Sequence, residues 1–211
     1  MIKYQRLMRP LATAMLVAGL AIALQGCVAV VLGGAAVGTF AATDRRTLGA
    51  QTEDKEIAGK ANLHLNKAIG DSGHVDVTSY NRKVLLTGEV RDEQMKQLAE
   101  QEVRKITSVQ GVMNELEIAG NSSLTSRSSD ALITTKVNTS FIAEKGLNSN
   151  SIQVVTERGN VYLLGIVTDH EGRVAAEVAS GVSGVQRVIK MFEYISDEQL
   201  NEMNKMQGAR S

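Results

Sequence analysis

The sequence predicts an α+β chain of two tandem αββαβ modules, each a three-stranded mixed sheet covered by two helices. Three observations lead there: a tandem repeat, apolar residues four apart in the segment that opens each copy, and period-2 alternation in the segments that follow. In the repeat, Val75, Val77, Val84, Leu86, Gly88 and Val90 match Ile152, Val154, Val161, Leu163, Gly165 and Val167 at a constant offset of 77. Asp92 and Asp169 keep that offset. It then becomes 76, pairing Leu98, Ile106, Val109 and Val112 with Val174, Val182, Val185 and Val188. Upstream the offset is also 76, pairing Ile57, Ala61 and Leu65 with Ile133, Val137 and Phe141.

Each element follows from spacing. Apolar residues four apart share one face of the opening helix, with Asp54 expected as the first N-cap and Ser129 or Asp130 as the second. Two alternating strands come next. Between them stand Tyr80, Asn81 and Arg82 in one copy and Glu157 to Asn160 in the other, residues that tolerate the positive φ of a tight hairpin turn. A second amphipathic helix follows, carrying Met95, Leu98, Ala99, Val103 and Ile106, or Val174, Ala175, Val178, Ala179 and Val182. A last strand runs from Val112 to Ile118 and from Val188 to Ile195. Gly88 and Gly165, at equivalent strand positions, mark a close approach of a helix or another backbone. A module of about 65 residues is near the lower limit for a core without disulfides or metal, so the two are expected to lean on each other.

The resulting boundaries are residues 54–118 and 129–195 for the modules, with a Ser-rich linker at 119–128. The tail, 196–211, is compatible with a short helix or with disorder. Residues 1–26 are expected to be a removed signal: Lys3, Arg6 and Arg9 precede an apolar run from Leu11 to Leu24 that is too short for a comfortable span. Leu24, Gln25, Gly26 and Cys27 then resemble the lipobox of bacterial lipoproteins. That resemblance implies a diacylglycerol on the Cys27 thiol and cleavage before it. Residues 27–53 are read as the lipidated cysteine and a tether. Cys27 is the only cysteine, so an internal disulfide is excluded.

The formal net charge of zero hides an asymmetry. The signal holds three basic and no acidic residues, so the mature chain carries 20 basic against 23 acidic ones, a net −3. That argues against nucleic acid as a partner. Six aromatics remain, too scattered for a stacking platform. The histidines, His64, His74 and His170, fall in different elements and form no metal-ligand pair, no phosphate loop follows Gly33 and Gly34, and no Gly-x-Ser-x-Gly elbow occurs. Carboxylate pairs such as Asp92 and Glu93 suit helix starts. The expectation is a binding protein without metal or cofactor, not an enzyme.

Comparison of the two opening helices supplies the candidate site. Inward positions agree, but Glu56 corresponds to Leu132 and Asn66 to Ile142. Leu132 and Ile142, with Lys136 one turn beyond Leu132 and Arg127 and Lys145 near the helix ends, form an apolar and basic set suited to anionic phospholipid headgroups. Burial of Leu132 and Ile142 against the first module fits the same pattern. A protein adaptor, docking envelope-assembly factors or cell-wall hydrolase regulators through this patch, is the alternative function.

The repeat resembles the BON domain: a hairpin with Gly159, Asn160, Val161, Gly165 and Val167, then a helix, then Val182, Ser183, Gly184 and Val185 leading into the closing strand. The first copy departs from it at Arg82 and Lys83 and at Ser108. With the lipobox, the segment from Ala36 to Arg45, and Ile133 to Val137, the chain is similar to dual BON-domain outer-membrane lipoproteins of Gram-negative bacteria. The resemblance implies attachment to the periplasmic face of the outer membrane, phospholipid binding and support of envelope integrity. Val28, where Asp is associated with inner-membrane retention in enteric bacteria, agrees with the outer membrane.

Overall fold

A computed structural model describes residues 44–120 and 122–208. The expectations for Cys27, the signal and most of the tether lie outside them.

The first module comprises α1 (Leu48–Ala68), β1 (Gly73–Tyr80), β2 (Lys83–Val90), α2 (Glu93–Arg104), β3 (Gly111–Asn114) and β4 (Glu117–Ile118). The second repeats the order with α3 (Leu124–Ala143), β5 (Ile152–Glu157), β6 (Asn160–Val167), α4 (Asp169–Ser180) and β7 (Arg187–Tyr194), and ends on α5 (Asp197–Gly208). In each sheet the central strand pairs antiparallel with the strand before it and parallel with the strand after the helix, giving the mixed order expected. β3 and β4 keep one register on β2, so they form a single interrupted strand. At the interruption the Asn114 side chain accepts from Leu116 N–H at 3.3 Å and donates to Lys96 O at 2.8 Å.

The hairpin turns are as the residues suggested: Asn81 and Arg82, then Arg158 and Gly159, all have positive φ. The strand glycines face backbone. A Cβ on Gly165 would stand 2.6 Å from Ser151 O, and one on Gly88 would overlap His74 O.

The helix starts differ from expectation. Thr47 and Ser123 are the N-caps of α1 and α3, accepting from Ala50 N–H at 3.1 Å and Ser126 N–H at 3.2 Å. Asp54 and Asp130 lie well inside their helices, buried. The reason is a stronger demand elsewhere. A turn with two residues at positive φ directs consecutive N–H groups to one side, where each aspartate collects them. Asp54 accepts from Asn81 N–H and Arg82 N–H at 2.8 Å, and Asp130 from Arg158 N–H at 2.9 Å and Gly159 N–H at 2.8 Å. The Ser-rich stretch read as linker to residue 128 therefore contributes the first turn of α3 instead. There Ser128 Oγ bonds back to Leu124 O at 2.9 Å.

Two cores lie between helices and sheets. Ile57, Ala61, Leu65, Val84, Leu86, Val90, Ala99 and Val103 form the first. Ile133, Val137, Phe141, Val161, Leu163, Val167, Ala175 and Ala179 form the second. A third cluster joins the modules: Tyr80, Leu85 and Met113 meet Tyr162, Leu164, Ile166, Ile189 and Met191. These side chains alternate with the helix-facing ones, so the sheets pack through the faces their own helices leave open. β2 and β6 are consequently buried on both sides. At the edge of this contact Glu89 is fully buried, with Arg158 Nη1 at 3.3 Å from its Oε1, while Arg158 Nε lies 3.2 Å from Glu117.

Candidate membrane-contact surface

α3 exists because Asp130, Ile133, Val137 and Phe141 give it a buried stripe. Thr134 Oγ1 pins it to the sheet through Thr156 Oγ1 at 2.7 Å. Everything else on the helix is free to specialise. Leu132 is 63% exposed and Ile142 75%, so the first module covers neither. At about 100° per residue, Lys136 lies some 40° from Leu132, and Ile142 about 80° from Leu132 in the opposite sense.

The structure thus groups part of the candidate set and separates the rest. Leu132 and Lys136 share one flank, where Lys136, Thr135 and Thr139 line a groove closed by Gly181, Val182 and Ser183 after α4. Ile142 and Asn138 line a groove on the other flank with Asp44, Arg46 and Tyr80. Arg127 is half-buried, its Nε donating to Ser122 Oγ at 3.3 Å. Lys145 is exposed beyond the helix end. Asp130 is the only carboxylate in α3, and it faces inward to serve the hairpin. The outward face is therefore apolar, hydroxylic and basic although the chain from Cys27 onward is net acidic. Leu124, 82% exposed, extends it at the first turn.

α1 exposes Leu48, the equivalent of Leu124, and Leu63, but at the positions matching Leu132 and Ile142 it carries Glu56 and Asn66. Glu56 Oε1 lies 2.6 Å from Lys60 Nζ, neutralising the lysine that corresponds to Lys136. Lys136 has no carboxylate partner among the described residues.

Three charged features carried no site expectation from the sequence. Arg45 is buried against Glu171 of the second module. Glu157 is buried, and burial first, then the Glu89 and Asp130 charges, push its carboxyl up to about 7. Asp54 and Asp130 clamp the hairpins. Only this last pair had a readable signal, an aspartate at the same repeat position just ahead of an apolar face in both copies.

Comparison with known proteins places the chain. A BON domain model matches residues 53–120 and again 129–196. Outer membrane lipoprotein DolP of Haemophilus influenzae is 37% identical over 188 residues, covering 88% of this chain and 97% of that protein. A 21 kDa hemolysin of Actinobacillus pleuropneumoniae is 29% identical over 154 residues, covering 72% and 79%. Among solved structures, CdsD, a structural protein of the type III secretion system of Chlamydia trachomatis, aligns at 10% identity over 68% of this chain and 96% of that one. Its TM-score is 0.30, too low to carry an argument. Both repeats and nearly the full length of an outer-membrane relative are accounted for: the chain belongs to the BON-domain family, as a dual BON-domain lipoprotein of the outer membrane.

Proposed function

We propose that the protein is held by acyl chains on Cys27, faces the periplasm, and uses the outward face of α3 to meet anionic phospholipid in support of envelope integrity. The observation that carries this reading is the divergence of two duplicated helices. Where α1 has the Glu56–Lys60 ion pair, α3 has exposed Leu132 beside Lys136. An exposed aliphatic inserts among acyl chains while a lysine one turn away stays at headgroup level. Each basic residue near an anionic surface contributes roughly 1 kcal/mol. The role is one of binding and positioning rather than catalysis.

The test uses the mature chain with Cys27→Ser, so that only the fold contacts lipid. It should sediment with vesicles containing phosphatidylglycerol and bind neutral vesicles far less. Leu132→Glu copies the first module, so folding should be kept. Loss of about 2 kcal/mol of apolar transfer, plus repulsion, should cut binding by about tenfold or more. Glu56→Leu should not create comparable binding. Unchanged vesicle binding by a folded Leu132→Glu protein would remove α3 from the membrane.

A further inference from the structure

Arg45 precedes the first helix among the described residues, yet it is among the most buried charged side chains described. Its Nη1 donates to Ile166 O at 2.8 Å and to Glu171 Oε2 at 2.7 Å, and its Nη2 to Glu171 Oε1 at 2.6 Å. This is a two-pronged guanidinium–carboxylate pair, the geometry in which arginine binds most specifically. Glu171 already has a local task. Its Oε2 accepts from Thr168 N–H at 2.8 Å while its own N–H donates to Thr168 Oγ1 at 3.3 Å, closing the capping box of α4. Burial pushes the Glu171 carboxyl up, but the Arg45 and Thr168 hydrogen bonds outweigh it and hold it below its ordinary value.

The next residue turns to the other module. Arg46 Nη1 donates to Asp54 Oδ2 at 3.0 Å, and its guanidinium lies 4.1 Å over the Tyr80 ring. The Tyr80 hydroxyl in turn donates to Ser151 O of the second module at 3.2 Å. Asp44 receives Arg46 Nη2 at 2.8 Å. Two consecutive residues thus hold two different modules, one each.

We propose that Asp44, Arg45 and Arg46 form an inter-module clasp, in which the leader of the first module completes the N-terminus of α4 in the second. Removing Arg45 leaves a buried carboxylate without its counter-charge, which is strongly unfavourable. The second module is therefore held to the segment that leads into α1 by a direct contact as well as through the linker. Asp44 and Arg46 also line the groove that holds Asn138 and Ile142. On the bilayer reading above, on which only this sentence rests, the clasp ties the Ile142 flank of α3 to the anchored end.

Glu171→Gln is the discriminating change, because glutamine still serves a capping box but offers no charge to Arg45. In the lipid-free Cys27→Ser chain, hydrogen exchange of peptides spanning residues 44–50 should speed up by about tenfold or more, although the substitution lies in the other module. Arg45→Ala should do the same and also lower the unfolding midpoint by several degrees. Arg45→Lys, which keeps the charge without the fork, should fall between. The double variant Arg45→Ala with Glu171→Gln should be no less stable than Arg45→Ala alone, since the two residues act as one contact. Unaltered exchange at 44–50 in Glu171→Gln, or additive destabilisation in the double variant, would overturn the clasp. Should Arg45→Ala fail to fold, the Glu171→Gln exchange decides. No arm involves lipid, so loss of vesicle binding and loss of the clasp are read separately.

Discussion

α1 and α3 hold the same place in their modules, present the same inward stripe and clamp the same hairpin with an aspartate, but their outward faces have parted. Both expose a leucine at the first turn, Leu48 and Leu124, and α1 also exposes Leu63, but where α1 carries Glu56 on Lys60 and Asn66, α3 exposes Leu132 and Ile142 and turns its one carboxylate inward. The sheets behind them diverge in the same manner. On the face where the modules meet, β2 carries Leu85, Thr87 and Glu89, and β6 carries Tyr162, Leu164 and Ile166. Duplication keeps the internal packing as a common reference, so positions that differ between copies report what each copy faces beyond its own core. The first module faces water and its partner. At positions 132 and 142 the second exposes apolar side chains where the first has Glu56 and Asn66.

The largest effect expected tests the common part. Val90 and Val167 are fully buried at equivalent ends of β2 and β6. Val167→Asp and Val90→Asp should each unfold their own module, at a cost of several kcal/mol for an unpaired buried charge. Circular dichroism and thermal unfolding would show it. A native transition in either variant would break the equivalence of the two central strands.

A smaller effect sharpens the comparison of the clamps. Asp54 serves Asn81 N–H, Arg82 N–H, Ser79 Oγ and Arg46, whereas Asp130 serves Arg158 N–H and Gly159 N–H. Asp→Asn conserves shape but loses charge and acceptors, and each lost charge-assisted bond is worth about 1.5 kcal/mol or more. Asp54→Asn should therefore destabilise more than Asp130→Asn in chemical denaturation. Equal losses would mean that the clasp residue Arg46 adds nothing to the first clamp.

The smallest effect concerns pH. Glu157 is raised to about 7 in the folded chain, by burial and then by Glu89 and Asp130. A carboxyl raised in the folded state is held neutral there, while the unfolded chain releases the proton in the ordinary range of about 4.3. Its contribution to stability is then complete below that range, is lost as pH rises towards 7, and stays lost above. The shift corresponds to about 3.5 kcal/mol, which solvent screening reduces to about 2 kcal/mol. Glu157→Gln should flatten it, leaving a protein more stable than the parent at pH 8. An identical pH profile would show that the Glu89 and Glu157 carboxyls do not share the inter-module space.

The duplication, the order of elements and the two inward stripes are legible from residue spacing alone, because they are local periodicities written twice. The hairpin turns were legible too, since Asn81 and Gly159 belong to the few residue types that favour positive φ, and Arg82 and Arg158 adopt it beside them. The exposed pair Leu132 and Ile142 was legible because the first copy supplied the contrast. The run Tyr162 to Val167 is expected to alternate with one face buried, whereas the structure buries both of its faces, in keeping with its being apolar at nearly every position. What lay against its second face was not written there. The pairing of the two sheets, the turning of Asp54 and Asp130 from caps into clamps, and the reach of Arg45 across 126 positions to Glu171 emerge only once the chain is folded. The physical reason is common to all three. A buried polar group must find its partner wherever folding brings one, and sequence spacing measures distance only within an element.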